Sequence, residues 1–216
     1  MFPPFVIKRK HMLWLIPVVL LSAFTLSGPI MSDVEQAKYA IVQTDRDFEI
    51  RDYAPAIAAE VDVTGDRRDA IRAGFKMIAD YIFGNNHSGD KVAMTAPVIQ
   101  EQQSQTIAMT APVIQQGNGL SWKVRFIMPS QYTLETLPKP NNAAVTIVEL
   151  PTKRFAVIRF SGVPDNEDLQ EESDKLAAWI KDQKLTATGS PVYAFYNPPW
   201  TLPFLRHNEV LMEIQP

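Results

Sequence analysis

The chain has 216 residues, 46% hydrophobic and 21% charged, with three histidines and no cysteine. This is ordinary globular composition and excludes a disordered, collagen-like or coiled-coil chain. Without thiols there are no disulfides, thiolate nucleophiles, iron–sulfur clusters, cysteine zinc sites or cysteine-linked cofactors, and three histidines leave little for a multi-histidine metal site. The net charge is −3; the first 32 residues carry Lys8, Arg9 and Lys10 and no acid, so the remaining 184 carry −3 − 3 = −6. An acidic body gives no electrostatic ground for a nucleic-acid partner.

The chain opens with a basic cluster, Lys8 to His11, followed by an uncharged run from Met12 to Ser32 that begins MLWLIPVVLL. That order is the pattern of a secretory signal, and the run is also long enough to cross a bilayer. Residues 1–32 are therefore expected to be a signal peptide or an N-terminal membrane anchor. Either way residues 33–216 are expected outside the inner compartment, periplasmic or held at the outer side of the membrane.

Within residues 38–216, alternation marks the strands. Ile57, Ala59, Val61 and Val63 share one face, as do Trp122, Val124 and Phe126; Val145/Ile147, Phe155/Val157, Val192/Ala194/Tyr196 and Val210/Met212/Ile214 behave alike. From Asp66 to Phe83 the period becomes helical, with Ile71, Phe75, Ile78 and Ile82 on one stripe and Gly84 as a stop. Residues 165–185 form a second helix through Leu169, Leu176 and Ile180, with acids gathered near its start as the helix dipole favours. Strands, helix and strands thus occur twice, about 38–136 and 143–216, around a turn-rich linker at Leu137–Asn142. The fold expected is α+β: duplicated β-α-β-β halves forming a distorted antiparallel barrel with two packed helices.

A sharper repeat lies inside the first half. Ala93–Gln100 recurs residue for residue as Ala108–Gln115, both reading AMTAPVIQ, at an offset of 108 − 93 = 15. Two copies suggest adjacent strands with a turn at Glu101–Ser104, and the proline in each places it at a strand edge or bulge. Packing by Met, Val and Ile explains the copies better than a ligand role for either methionine.

These MTAPV copies occur in an ordered series: Phe48–Pro55 (FEIRDYAP), Leu137–Pro140 (LPKP), Arg159–Gly162 (RFSG), Tyr196–Pro203 (YNPPWTLP) and Arg206–Val210 (RHNEV). The series resembles the SOUL haem-binding family from about residue 38 to the C-terminus. The resemblance implies the duplicated barrel-like fold, shared with bacterial effector-binding domains, and non-covalent binding of haem or another tetrapyrrole in an apolar groove.

A haem needs an apolar slot, cations for its propionates and, for tight iron binding, an axial His, Met, Tyr or Cys. In some relatives a histidine proposed as axial ligand falls where this chain has Asp52. In others, basic residues of the first helix and of the loop after N-P-P flank the groove; Arg72 and Lys76 match the helix and Arg206 the loop, whereas Asp80 and Thr201 depart from it. The rigid aromatic stretch around Tyr196, Trp200 and Phe204 suits a flat guest. The cofactor-binding set expected is Arg72, Lys76, Tyr196, Trp200, Arg206 and His207, with His207 and His87 the histidines left to consider as iron ligands. Tyr81 and Tyr196 are better explained by packing than as phenolate ligands.

No G-x-S-x-G, HExxH, P-loop or dinucleotide fingerprint is present, and the acids of the second helix read as a solvated face. A binding protein is expected, not an enzyme. The alternative is a non-haem module of the cell envelope that senses a small molecule or holds a protein partner, which the departures at Asp52, Asp80 and Thr201 favour.

Overall fold

The computed structural model describes residues 35–87, 105–118, 120–198 and 200–215. The basic-apolar N-terminal run, the first MTAPV copy and its turn at Glu101–Ser104 lie outside these residues. In chain order the elements are β1 (Tyr39–Asp45), β2 (Phe48–Tyr53), β3 (Ala56–Thr64), α1 (Arg67–Ile82), β4 (Asn86–His87), β5 (Val113–Asn118), β6 (Ser121–Ile127), β7 (Lys139–Pro140), β8 (Thr146–Leu150), β9 (Lys153–Phe160), α2 (Asn166–Asp182), β10 (Val192–Phe195), a 3-10 turn at Pro203–Leu205, and β11 (Asn208–Glu213). No helix among the described residues is long and apolar enough to cross a membrane.

Nine strands pair antiparallel in one curled sheet, ordered β1-β2-β9-β11-β10-β5-β6-β3-β8. Beyond the edge strand β1 the order is palindromic. Reading inward from either end, β2 answers to β8, β9 to β3, β11 to β6 and β10 to β5. A pseudo-twofold axis therefore passes between β5 and β10, where Tyr193 lies opposite Gln115. The halves interlock, because β2 pairs with β9 and β3 with β8 instead of with each other. The duplication legible in the sequence is thus a single sheet built by exchange.

Both helices cover one face. On that side Val61, Val124, Phe126, Ala156, Ile158, Val210 and Met212 meet Ile78 and Ile82 of α1 and Leu169, Leu176 and Ile180 of α2. Full burial of each such aliphatic chain contributes about 1.5–3 kcal/mol. Helix α2 starts on a capping box, with the Asp165 side chain accepting from the backbone of Glu167 and Asp168 while Asp168 accepts from the Asp165 N–H. Helix α1 is capped by Asp66, and Gly84 follows it at φ 119°, a conformation that glycine adopts without a Cβ clash.

Three expectations are corrected. The buried line of α1 is Ala70, Gly74, Ile78, Tyr81 and Ile82, whereas Phe75 is exposed, its ring edge-on to Phe126. The helix turns its small residues inward because it lies so near the sheet that a Cβ on Gly74 would stand 2.7 Å from Val124 Cγ2. The segment Leu137–Asn142 is docked rather than a bare linker: Leu137 is buried, Tyr81 donates to the Pro138 carbonyl at 2.7 Å, and β7 pairs with β4. In the second MTAPV copy Met109 is exposed, while Thr110 is buried and its hydroxyl donates to the Ile127 carbonyl. The hydroxyl locks the entry to β5, and the methionine fills no core.

Candidate functional site

The face away from the helices carries a buried polar cluster. Alternation puts Val210 and Met212 among the helices, so Glu209 and Leu211 point the other way, with Val157 and Ala194. Glu209 is 0% exposed and accepts four hydrogen bonds. Arg51 supplies two, Nη2 to Oε1 at 2.9 Å and Nη1 to Oε2 at 3.0 Å. Tyr196 OH donates to Oε2 at 2.7 Å, and His207 Nε2 lies 2.7 Å from Oε1. A carboxylate only accepts, so Nε2 carries the His207 proton. Arg51 also donates to Glu49 at 2.6 Å and to the Tyr53 hydroxyl at 3.1 Å, and its guanidinium lies 4.3 Å from the Tyr39 ring centre.

This arrangement fixes the protonation states. Burial would raise the Glu209 carboxyl, but hydrogen bonds from His207 and Arg51, with the Arg51 charge, hold it below the ordinary carboxylate range. Burial would likewise lower Arg51, and Glu209 outweighs it. Burial and the Glu209 charge push the phenols of Tyr196 and Tyr53 upward, so both stay protonated. Tyr81 is raised by burial as well. The Tyr81 and Tyr196 hydroxyls both donate within the fold, to the Pro138 carbonyl and to Glu209.

The Tyr196 ring stacks on the His207 imidazole, 4.0 Å between centres and 4° from parallel. With Nε2 committed to Glu209, only Nδ1 of His207 remains for a metal. The residues expected to bind a cofactor therefore separate into three places. Tyr196 and His207 brace the Glu209 cluster. Trp200 and Arg206 belong to the loop between β10 and β11. Arg72 and Lys76 are exposed on α1, where Arg72 faces Asp69 at 3.7 Å. His87 is held in the β4–β7 ladder with Nδ1 2.8 Å from Asn141 Oδ1, not in an open loop. Among the described residues no cluster of three or more His, Asp or Glu is placed to hold a metal ion.

Asp52 also has a defined task. Arg154 donates to both its oxygens, at 2.6 and 2.7 Å, and these bonds hold the carboxyl below its usual range. Asp80 accepts from Asn85 at 2.6 Å beside the end of α1. Two of the three departures from the haem-binding pattern, Asp52 and Asp80, are thus built into local ion-pair or hydrogen-bond structure.

Among the described residues, two clefts stand out. One, of about 820 Å³, lies at the end of the sheet where β9 finishes and β11 begins, and is lined by Phe48, Ile158, Phe160, Phe204 and Leu205, by Arg159, Lys175 and Arg206, and by Asp47, Ser161 and Glu172. The other, of about 620 Å³, lies between the N-terminal strap and the β3/β8 edge and includes Lys38, Ile57, Met128, Tyr132 and Leu150. Both volumes fall in the range of small-molecule sites. In the first, Phe48, Phe160, Phe204, Ile158 and Leu205 stand beside Arg159, Lys175 and Arg206, of which Lys175 pairs with Glu171 and Glu172 and Arg206 donates to Thr201 O. Its lining holds no His, Met or Tyr, so it supplies no axial ligand. Arg72 and Lys76 line neither cleft.

The Arg51–Glu209 pair and the Phe48–Phe204 cleft were missed in the sequence, although all four residues fall in or beside the motifs named above. The available signal was an arginine and a glutamate of opposite charge in two strands that also carry Glu49, Asp52 and Glu213. Which strands are neighbours cannot be read from one chain's pattern, so the pairing stayed hidden.

Solved structures define the class of fold. The C-terminal domain of EcmrR superposes with a TM-score of 0.55 at 11% identity, covering 82% of this chain and 98% of that one. An uncharacterized conserved protein from Listeria innocua gives 0.52 at 12% identity, covering 79% and 93%, and a Listeria innocua protein described as a hydrolase gives 0.51 at 11%, covering 81% and 94%. At such identities the likeness shows the fold alone, that of effector-binding domains. No curated protein matches the chain. The family model described as SOUL heme-binding protein matches residues 34–213, and the chain belongs to that family.

Proposed function

We propose that this domain binds haem or a related tetrapyrrole non-covalently in the cleft between the 3-10 turn, α2 and the β2/β9 pair, without turning it over. The observation that carries the reading is the lining of that cleft, where Phe48, Phe160, Phe204, Ile158 and Leu205 stand beside Arg159, Lys175 and Arg206. The aromatic and aliphatic side chains in this mixed polar and apolar lining cover part of the macrocycle, and a charge-assisted bond from Arg159 holds a propionate. Family membership supports haem binding in general. The basic-apolar N-terminus supports export, with the segment either removed or kept as a tether to the membrane.

The test is a Soret titration of the full chain with haem, repeated for Arg159→Glu and Arg72→Glu. A saturable one-to-one shift is expected. Arg159→Glu weakens it about tenfold, the loss of one charge-assisted contact, and Arg72→Glu leaves it unchanged. No saturable shift overturns the reading in favour of a non-haem sensing or protein-binding module, while loss with Arg72→Glu alone moves the site to α1.

A further inference from the structure

Helix α1 packs on β3 and β6 and helix α2 on β11 and β9, so the two central strands, β5 and β10, run between the helices. There Gln115 of β5 lies opposite Tyr193 of β10 and Val113 opposite Phe195, with both rings on the helix side of the sheet. Arg67, the first residue of α1, reaches across this strip. Its Nη2 donates to Gln115 Oε1 at 2.8 Å, and its Nη1 to Oδ1 of Asn166, the first residue of α2, at 3.3 Å. Its guanidinium carbon stands 5.7 Å from the Tyr193 ring centre, 5.8 Å from that of Phe195 and 6.0 Å from that of Trp122.

Two buried donors meet at this point without an acceptor among the described residues: Arg67 Nε and Trp122 Nε1. Trp122 is only 8% exposed and belongs to the cluster beneath the helices. An orphaned buried N–H is rare, because the hydrogen bond it gave up to water is not replaced. Packing does not account for the pair. The three rings lie at the outer limit of cation–π range, and the two amide oxygens that Arg67 meets leave Nε and the indole N–H bare. Nor does Arg67 pair with a carboxylate among the described residues, so burial pulls it below the ordinary guanidinium range. The acids beside the two helix starts, Asp66 and Asp165, accept instead from backbone N–H groups of their own helices.

We propose that this strip is a binding site for a small apolar carboxylic acid, whose carboxylate accepts from Arg67 Nε and Trp122 Nε1 while its body lies along Tyr193 and Phe195. The charges select the class. A single cation suits a monoanion, and the capping carboxylates of Asp66 and Asp165 disfavour phosphate or sulfate. The way in lies at Asn166, which is exposed and holds Nη1 by a neutral bond; a carboxylate is the stronger acceptor and replaces it. Arg67 and Trp122 line neither cleft, so the site is separate from the one proposed for the tetrapyrrole and stands without it.

The test uses the nitrogen-15-labelled full chain, with the Trp122 indole N–H assigned by its loss in Trp122→Phe. The probe is benzoate, compared with benzamide, its uncharged counterpart, and with sulfate. Benzoate is expected to move the Trp122 indole resonance saturably. Benzamide should bind at least about tenfold more weakly, the loss of one charge-assisted contact, and sulfate should not saturate. Arg67→Gln should weaken benzoate at least about tenfold and leave the haem titration unchanged. An indole resonance that benzoate leaves in place overturns the proposal, as does benzamide binding as tightly as benzoate. Unchanged benzoate affinity in Arg67→Gln overturns it too; should that variant not fold, the benzoate–benzamide comparison on the parent chain decides. Haem moving the indole where benzoate does not would overturn this site and relocate the tetrapyrrole, whereas a benzoate response without any Soret shift refutes the haem reading alone.

Discussion

Arg51 on β2 and Glu209 on β11 form a two-pronged ion pair across an intervening strand, with both oxygens of a wholly buried carboxylate engaged. Removing one partner strands the other charge in the interior, which costs about 3–5 kcal/mol, whereas removing both leaves no bare charge. Arg51→Met and Glu209→Leu should each lower urea-unfolding stability by about that amount, and the double variant by less than the sum of the two. Additive losses would mean that the pair is not coupled as drawn.

Acid should weaken the domain in a defined window. The carboxyls of Glu209, Glu60 and Asp52 lie below their ordinary values; burial opposes this for the two glutamates, and bonds from arginines, with His207 for Glu209 and Lys123 for Glu60, outweigh it. A depressed carboxyl contributes stability that is complete above its unfolded value and is lost as pH falls through the folded one. Stability should thus be flat with respect to these groups above about pH 5 and fall progressively below about pH 4.5. Glu209→Gln should make that fall shallower in urea midpoints measured across the range.

Gly74 tests the approach of α1 to the sheet. A Cβ there would meet Val124 Cγ2 at 2.7 Å and Val61 Cγ2 at 3.1 Å. In a free helix Gly→Ala gains about 1 kcal/mol, while overpacking costs about 1–3 kcal/mol. Gly74→Ala should therefore lower the melting temperature, and a rise would show that the helix can shift outward freely.

The cleft lining offers cations and apolar walls but no axial ligand, so affinity should follow the macrocycle and not its metal. Iron-free protoporphyrin should bind within about threefold of haem by fluorescence quenching, less than about 1 kcal/mol apart. His207→Ala should leave the Soret position unchanged, because His207 does not line the cleft. A markedly stronger preference for haem would point to a protein ligand on the iron.

Periodicity carried most of the fold. Val61, Val124 and Val210 advertise their strands because a half-buried sheet imposes a period of two. The α1 stripe held at Ile78 and Ile82 and failed at Phe75, since hydrophobicity favoured Phe75 whereas the close approach demanded Gly74. Trp200 and Arg206 were legible as a stiff aromatic-basic loop, and the cleft wall on that loop lies beside them. Phe48, Ile158 and Phe160 were not, because strands far apart in sequence become neighbours only through the exchange of β2 and β9. Arg72 and Lys76 were chosen by likeness to relatives, and they line neither of the two clefts described.

Amide shifts on titrating the isotopically labelled full chain with diamagnetic zinc protoporphyrin locate the guest most directly. The account predicts saturable changes clustered at Phe48, Ile158–Ser161 and Phe204–Arg206, with the amides of Arg72 and Lys76 unmoved. Changes centred on α1, or none that saturate, would contradict it.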